Sequence, residues 1–179
     1  GVYAKLGILS LQLYPTLYHG VNHYFDGFPE RFSDNIWDAR YFWWNSMDLP
    51  EKYGSEAINQ VDWGQSQIAV FYKLFTLALS NQNMWWGPSK HNALIMSNNA
   101  AGFKHLSFKT NQPVNIFIGH LEWELLGGIL ENSKYSPPYP TGRYSSNPFF
   151  QSKNLDARYV NGISISYQPK WVPGLFLGI

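Results

Sequence analysis

Residues 114–130 (VNIFIGHLEWELLGGIL) carry the pattern from which most of the fold follows. Phe117, Leu121, Trp123 and Leu125 alternate with His120, Glu122 and Glu124, and a period of two puts the first set on one face of a β-strand and the second on the other. One face suits an apolar medium and the other suits water. Seventeen residues is long beside the ~5–6 of an ordinary soluble strand. It fits a tilted strand that spends ~9–11 residues in a bilayer and continues beyond it. A long amphipathic strand of a soluble β-sandwich is the alternative.

Composition points the same way. Aromatic residues make up 18% of the chain, whereas Asp, Glu, Lys and Arg together make up 14%, against ~25% in typical soluble domains. Thirteen basic and twelve acidic residues leave a net charge of +1, so there is no cationic surface to neutralise phosphates, and nucleic acid is excluded as a partner. With no Cys, disulfide scaffolds, Cys-ligated zinc, iron–sulfur clusters and thiol nucleophiles are excluded as well. The least charged stretch, 74–89, is interrupted by Asn81, Gln82 and Asn83, which rules out a membrane-spanning helix. Spanning strands give a far weaker hydropathy signal and are not ruled out. The chain opens at Gly1 without a leader segment, as a processed protein or an excerpt would.

The remaining β-rich runs are punctuated by Gly and Pro. The run 2–13 reads as a strand stopped at Tyr14-Pro15, where ladder donation ends. The polar and aromatic excursion 14–64 is too long for a structureless loop, with 40–45 a possible strand and 54–59 a possible short helix. The run 66–79 reads as one strong strand, apolar on both faces. Segments 103–110 and 114–130 read as a hairpin turning at Asn111-Gln112-Pro113. Residues 132–156 form a loop stiffened by Pro137-Pro138 and Pro140. In 158–168, Gly162, Ser164 and Ser166 alternate with Tyr159, Ile163, Ile165 and Tyr167, and a turn at 169–173 leads into a strand at 174–179.

About six strands are legible, and short turns alternating with long connections are the habit of outer-membrane barrels. The habit breaks once, because both connections flanking 66–79 are long. Either a strand hides in 14–64 or one segment folds into the lumen. The expectation is an all-β protein, part of a large antiparallel outer-membrane β-barrel. Residues 1–179 form one partial barrel domain, with 14–64 as a long loop or plug.

No phosphate-binding loop, nucleophile elbow, zinc-protease or dinucleotide signature is present, so no catalytic residue and no cofactor is expected. His19 and His23, with Asp26 nearby, form a weak metal pattern that solvated loop histidines explain better. Glu122 and Glu124, with His120, could imitate a glycosidase pair, but carboxylates lining a wet lumen need no such role. The segment 83–103 is rich in Trp and Asn. Indole faces stack on the C–H face of a pyranose, and amides donate to and accept from hydroxyls. An aromatic girdle beside an amide-rich turn is the competing reading.

NMWWGPSKHNALIMSNNAAGFKH (83–105), preceded by NSMDLPEKYG (45–54) and WGQSQI (63–68) and followed by GHLEWELLGG (119–128), resembles the capsule assembly Wzi family along the whole chain. The resemblance implies a barrel in the outer membrane of a Gram-negative bacterium, its lumen plugged by helices and loops. It further implies a non-enzymatic lectin that holds capsular polysaccharide. The visible strands cannot close such a barrel and Ile179 is not the usual terminal aromatic, so a longer polypeptide is expected. From chemistry and motif position, Trp85 and Trp86 are stacking platforms. Asn92, Asn98 and Asn99 are polar contacts or turn formers, and His120, Glu122 and Glu124 face the lumen. The expected partners are capsular or other surface polysaccharide, outer-membrane lipid and other envelope proteins. Competing readings are a porin-like or structural barrel subunit of a larger envelope complex, a glycan-processing enzyme using Glu122 and Glu124, and a soluble β-sandwich lectin.

Overall fold

The structure, a computed structural model, describes residues 1–47, 50–87, 89–93, 95–135 and 156–179. The loop expected over 132–156 lies mostly outside the described residues. In chain order the described elements are β1 (Val2–Leu6), β2 (Leu9–Leu13), β3 (Thr16–Gly20), α1 (Asp34–Ser46), β4 (Ile58–Asp62), β5 (Gln67–Tyr72), β6 (Phe75–Ser80), β7 (Lys104–Thr110), β8 (Val114–Ile116), β9 (Gly119–Leu130), β10 (Arg158–Pro169) and β11 (Leu177–Gly178). The protein is all-β, with a single helix among these residues.

The chain divides into two units. The first, Gly1–Thr16, Val61–Leu130 and Arg158–Ile179, is an antiparallel sheet in the order β1-β2-β5-β6-β7-β9-β10-β11, with β8 also paired to β9. Its register explains why periodicity misread two runs. The stretch 66–79 is a hairpin of β5 and β6, in which Tyr72 pairs with Phe75 across Lys73 and Leu74. Because paired residues three apart share a face, the alternation reverses phase at the turn. Ile68, Val70 and Tyr72 therefore lie with Phe75, Leu77 and Leu79. Read as one strand, the run is apolar on both faces; read as two, it has one apolar face. The run 2–13 divides in the same way into β1 and β2, with Leu6 opposite Leu9 and Gly7 at a φ of 58° in the turn, a conformation glycine adopts without steric cost.

Asn111-Gln112-Pro113 is not the hairpin turn. Lys109 pairs with Glu124 and Val114 with Leu121, so residues 110–113 oppose only Glu122 and Trp123 and form a bulge, which Pro113, lacking an N–H, favours. The chain reverses instead at Phe117 and Ile118, so the second arm is β9, twelve residues long. The bulge lets Asn111 clamp the β5–β6 turn. Its backbone N–H donates to Leu74 O at 2.8 Å, its amide donates to Phe75 O at 3.2 Å, and Thr76 Oγ1 donates to Asn111 Oδ1.

With hairpins in place of the two single runs and the third turn moved, the short turns at Gly7-Ile8, Lys73-Leu74 and Phe117-Ile118 all fall at one end of the sheet. The long connections leaving β2, β6 and β9 fall at the other. The apparent break in the alternation of short and long connections disappears.

The second unit comprises Leu17–Gln60 and Glu131–Ala157. It holds α1 and most of the two-stranded sheet of β3 and β4, so strands do hide in the excursion. The strand expected over 40–45 is helix, although Tyr, Phe and Trp favour strands. Trp37, Tyr41 and Asn45, four residues apart, are its buried face, and Asp34 in the first turn complements the helix dipole. The helix expected over 54–59 is also overturned, because Gly54 has a φ of 81° and the chain enters β4 at Ile58. Around α1, the Arg40 guanidinium lies 4.5 Å from the Phe28 ring centroid and 4.3 Å from that of Trp44. It also pairs with Glu51 at 3.4 Å, and Glu51 Oε1 accepts the Phe28 N–H at 2.9 Å.

Candidate functional site

The sheet of the first unit inverts the arrangement of a water-soluble one. The row Leu9–Val70–Leu77–Phe108–Leu125–Ile163 runs across six strands, and each of these side chains is 36–55% exposed. In the adjacent row, Ser10–Ala69–Ala78–Ser107–Leu126–Gly162, the first five are at most 5% exposed. Thr76, Ser80 and His105 are buried on that same face. Small and polar residues line the protected side, and large apolar ones look outward.

On the polar side, β7, β9 and β10 align Lys109 with Glu124 and Ser164, Glu122 with Ser166, and His120 with Gln168. His120, Glu122 and Glu124 thus share the polar face, as alternation predicted. Glu124 is the hub: its Oε2 accepts from Trp86 Nε1 at 3.0 Å, and its Oε1 lies 3.8 Å from Lys109 Nζ. Lys109, Glu122, Glu124, Ser164 and Ser166 line an open groove of about 210 Å³. Glu122 and His120 are exposed to it or beside it.

Trp86 belongs to the segment 81–103, which returns over the polar face. Its backbone N–H bonds to Ile95 O at 3.3 Å, and its ring covers Gly162, where a β-carbon would come within 2.8 Å of Trp86 Cη2. Gly162 is therefore required by the close approach of the indole. The base of the segment is tied to the 63–68 motif. Asn81 Oδ1 accepts the Ser66 N–H at 3.2 Å, Asn81 N–H donates to Ser66 O at 3.1 Å, and Asn83 N–H donates to Gln65 Oε1 at 2.9 Å. Two motifs separated in sequence thus form one polar joint.

Trp85 is 38% exposed, with Nε1 donating to Ser89 O at 2.7 Å. Ser89 Oγ accepts the Asn92 N–H at 3.2 Å, so one serine links Trp85 and Asn92. Asn99 N–H donates to Ser97 Oγ at 3.3 Å, and the side chains of Asn92, Asn98 and Asn99 are exposed. The structure brings Trp86 and Glu124 together. It leaves Trp85 and the three asparagines on the segment's outer part, and His120 further along β9. Lys109, Ser164 and Ser166 were missed as site residues, although the alternation of Gly162, Ser164 and Ser166 was visible; cross-strand register, which sequence does not supply, sets them beside the carboxylates. His19, read as a weak metal candidate, shares a 2.6 Å hydrogen bond with Asn59. Among the described residues no three His, Asp or Glu side chains gather as metal ligands.

The described sheet is thus an all-β antiparallel meander with an outward apolar face, a small and polar protected face and an aromatic segment strapped across it. Residues 37–158 match the capsule assembly protein Wzi family, and the chain belongs to that family. The match covers the Trp-rich segment and β4 to β9 but not the whole chain. No curated protein and no solved structure matches the chain significantly.

Proposed function

We propose that this chain is part of the wall and lining of an outer-membrane β-barrel in a Gram-negative bacterium, and that it holds capsular polysaccharide at the cell surface without altering it chemically. The observation carrying the reading is the inverted sheet. A continuous outward row of Leu, Val, Phe and Ile is an aggregation liability in water and the ordinary lipid-facing surface of a barrel in a bilayer. Two features add support. Short turns collect at one end and long connections at the other, and near the short-turn end Phe75, Phe108 and Trp123 cluster with centroids 5.6–6.5 Å apart, as interfacial aromatics do. Capsule assembly, the family's description, supplies the ligand class.

On the polar side the two tryptophans divide the work. Trp86 fastens the segment through Glu124 and Gly162, and Trp85 offers an exposed ring for stacking on sugar, with Asn92 linked to it through Ser89 and the exposed amides of Asn98 and Asn99 on the same segment. His120 and Glu122 line the approach. Glu124 is engaged by Trp86 and Lys109, which favours a binding role over a paired-carboxylate hydrolase.

Replacing Trp85 and Trp86 by Ala in the full-length protein is expected to shed capsule into the medium, read as loss of cell-bound polysaccharide at unchanged outer-membrane protein level. Full retention would remove the stacking role. Solute flux through reconstituted protein together with full retention would favour the porin-like reading.

A further inference from the structure

We infer that the groove between β7, β9 and β10 is a sugar subsite that accepts uncharged, hydroxyl-bearing units and rejects those carrying a carboxylate. This rests on the polysaccharide-binding reading and names the class of unit bound at that site. Within the groove, the Lys109 ammonium stands 3.8 Å from Glu124 Oε1, so these two charges offset each other. The other Glu124 oxygen is taken by the Trp86 indole. The rest of the lining includes Glu122, exposed at the groove, the Ser164 and Ser166 side chains, set opposite Glu124 and Glu122 by register, and Thr110, whose hydroxyl is engaged by the Trp123 backbone.

The hydroxyls of Ser164 and Ser166 both donate and accept, and the Glu122 carboxylate accepts. Together they suit a unit whose own hydroxyls can donate to Glu122. A uronate or other acidic sugar would instead place a second carboxylate beside Glu122 with Lys109 already compensated, and like charges at such separations repel. Discrimination by an unfavourable contact of this kind is a recognised route to specificity. Trp86, packed over Gly162 on the same strand as the serines, joins the segment that bears Trp85 to the groove through its hydrogen bond to Glu124.

A matched pair of ligands tests this: hexagalacturonate and its fully methyl-esterified form, which differ in the carboxylate charge and in one methyl group per unit, the two being separated by the Glu122 variant below. Titrated into the detergent-solubilised full-length protein at low salt, the ester is expected to bind about tenfold more tightly. The gap should narrow in high salt and largely close in Glu122→Gln, which keeps the side-chain shape. A Ser164→Ala, Ser166→Ala double variant should weaken the ester severalfold while keeping the preference. Equal or tighter binding of the free acid, or an undiminished preference in Glu122→Gln, would overturn the inference and leave the lectin reading standing. Binding of neither ligand would overturn it too, and the tryptophan variants, tested for retention of native capsule, would then show whether the lectin reading falls with it.

Discussion

The sheet and the helical unit solve the burial of aromatic and aliphatic side chains in opposite ways. In the second unit Phe28 packs against Trp37, and the Arg40 guanidinium lies over Phe28 and Trp44. Phe28 stacks on Phe32 with centroids 4.8 Å apart and meets Trp37 edge-on at 5.0 Å, and Arg40, drawn in among them, pairs with Glu51. In the sheet, most of the large apolar residues are exposed, while Ser10, Thr76 and Ser107 are buried. The same chain therefore follows two rules. The helical unit makes its own apolar environment, whereas the sheet turns its apolar row outward, as the barrel reading proposed above requires. An aromatic-rich sequence of low charge need not carry a large core of its own when its apolar side chains have a second phase to enter.

The largest effect expected from this comparison comes from a charge placed on the outward row. Leu77→Arg should destabilise the full-length protein in lipid vesicles by about 2–4 kcal/mol, the cost of a cation near the bilayer midplane, measured by reversible denaturant unfolding. A shift within about 0.5 kcal/mol, as for ordinary surface substitutions, would mean that this face meets water. In the helical unit, Arg40→Ala should cost about 2 kcal/mol, because it removes two ring contacts and leaves Glu51, itself mostly buried, without its cation. Hydrogen exchange should speed up in α1 and leave β9 unchanged; loss of protection in both would erase the contrast between the units.

Gly162→Ala should cost about 1–2 kcal/mol, since its methyl group meets the Trp86 ring, and should shift the Trp86 indole N–H resonance as the hydrogen bond to Glu124 loosens. An unmoved resonance would show that the segment is held elsewhere. The smallest effect is electrostatic. Tyr24 donates to Asp26 Oδ1 at 3.1 Å; that hydrogen bond, followed by the Asp26 charge, slight burial and the Glu30 charge, raises the phenol above its ordinary 10.0. A raised folded-state value favours the neutral phenol, so its contribution is complete below the ordinary value and fades as pH climbs through the raised one. Asp26→Asn should bring the titration of Tyr24, followed by NMR of ring-labelled tyrosine, back towards 10.0; an unchanged midpoint would assign the shift to another cause.

Much of the sheet was legible because alternation is a local property. The faces of 158–168 and the separation of His120, Glu122 and Glu124 from Leu121, Trp123 and Leu125 follow from period two alone. The failures lie where a tight turn reverses that period, as at Lys73 and Leu74, and where β-prone aromatics serve a helix, as at Tyr41, Phe42, Trp43 and Trp44. Lys73 at a φ of 51° carries none of the usual turn chemistry; its conformation is held by Asn111, 38 residues away, and no local window contains both.

By itself, the sequence determined the all-β class, the apolar and polar faces of its long strands, the family and the Trp- and Asn-rich composition of the segment 83–103, because strand alternation, charge scarcity and motif identity are written along the chain. Only the tertiary structure decided that 2–13 and 66–79 are hairpins, that the turn lies at 117–118, that Trp86 fastens to Glu124 over Gly162, and that Lys109, Ser164 and Ser166 share a groove with Glu122. Those facts depend on strand register and on contacts between residues distant in sequence, and register is set by the energy of the whole sheet rather than by any one strand.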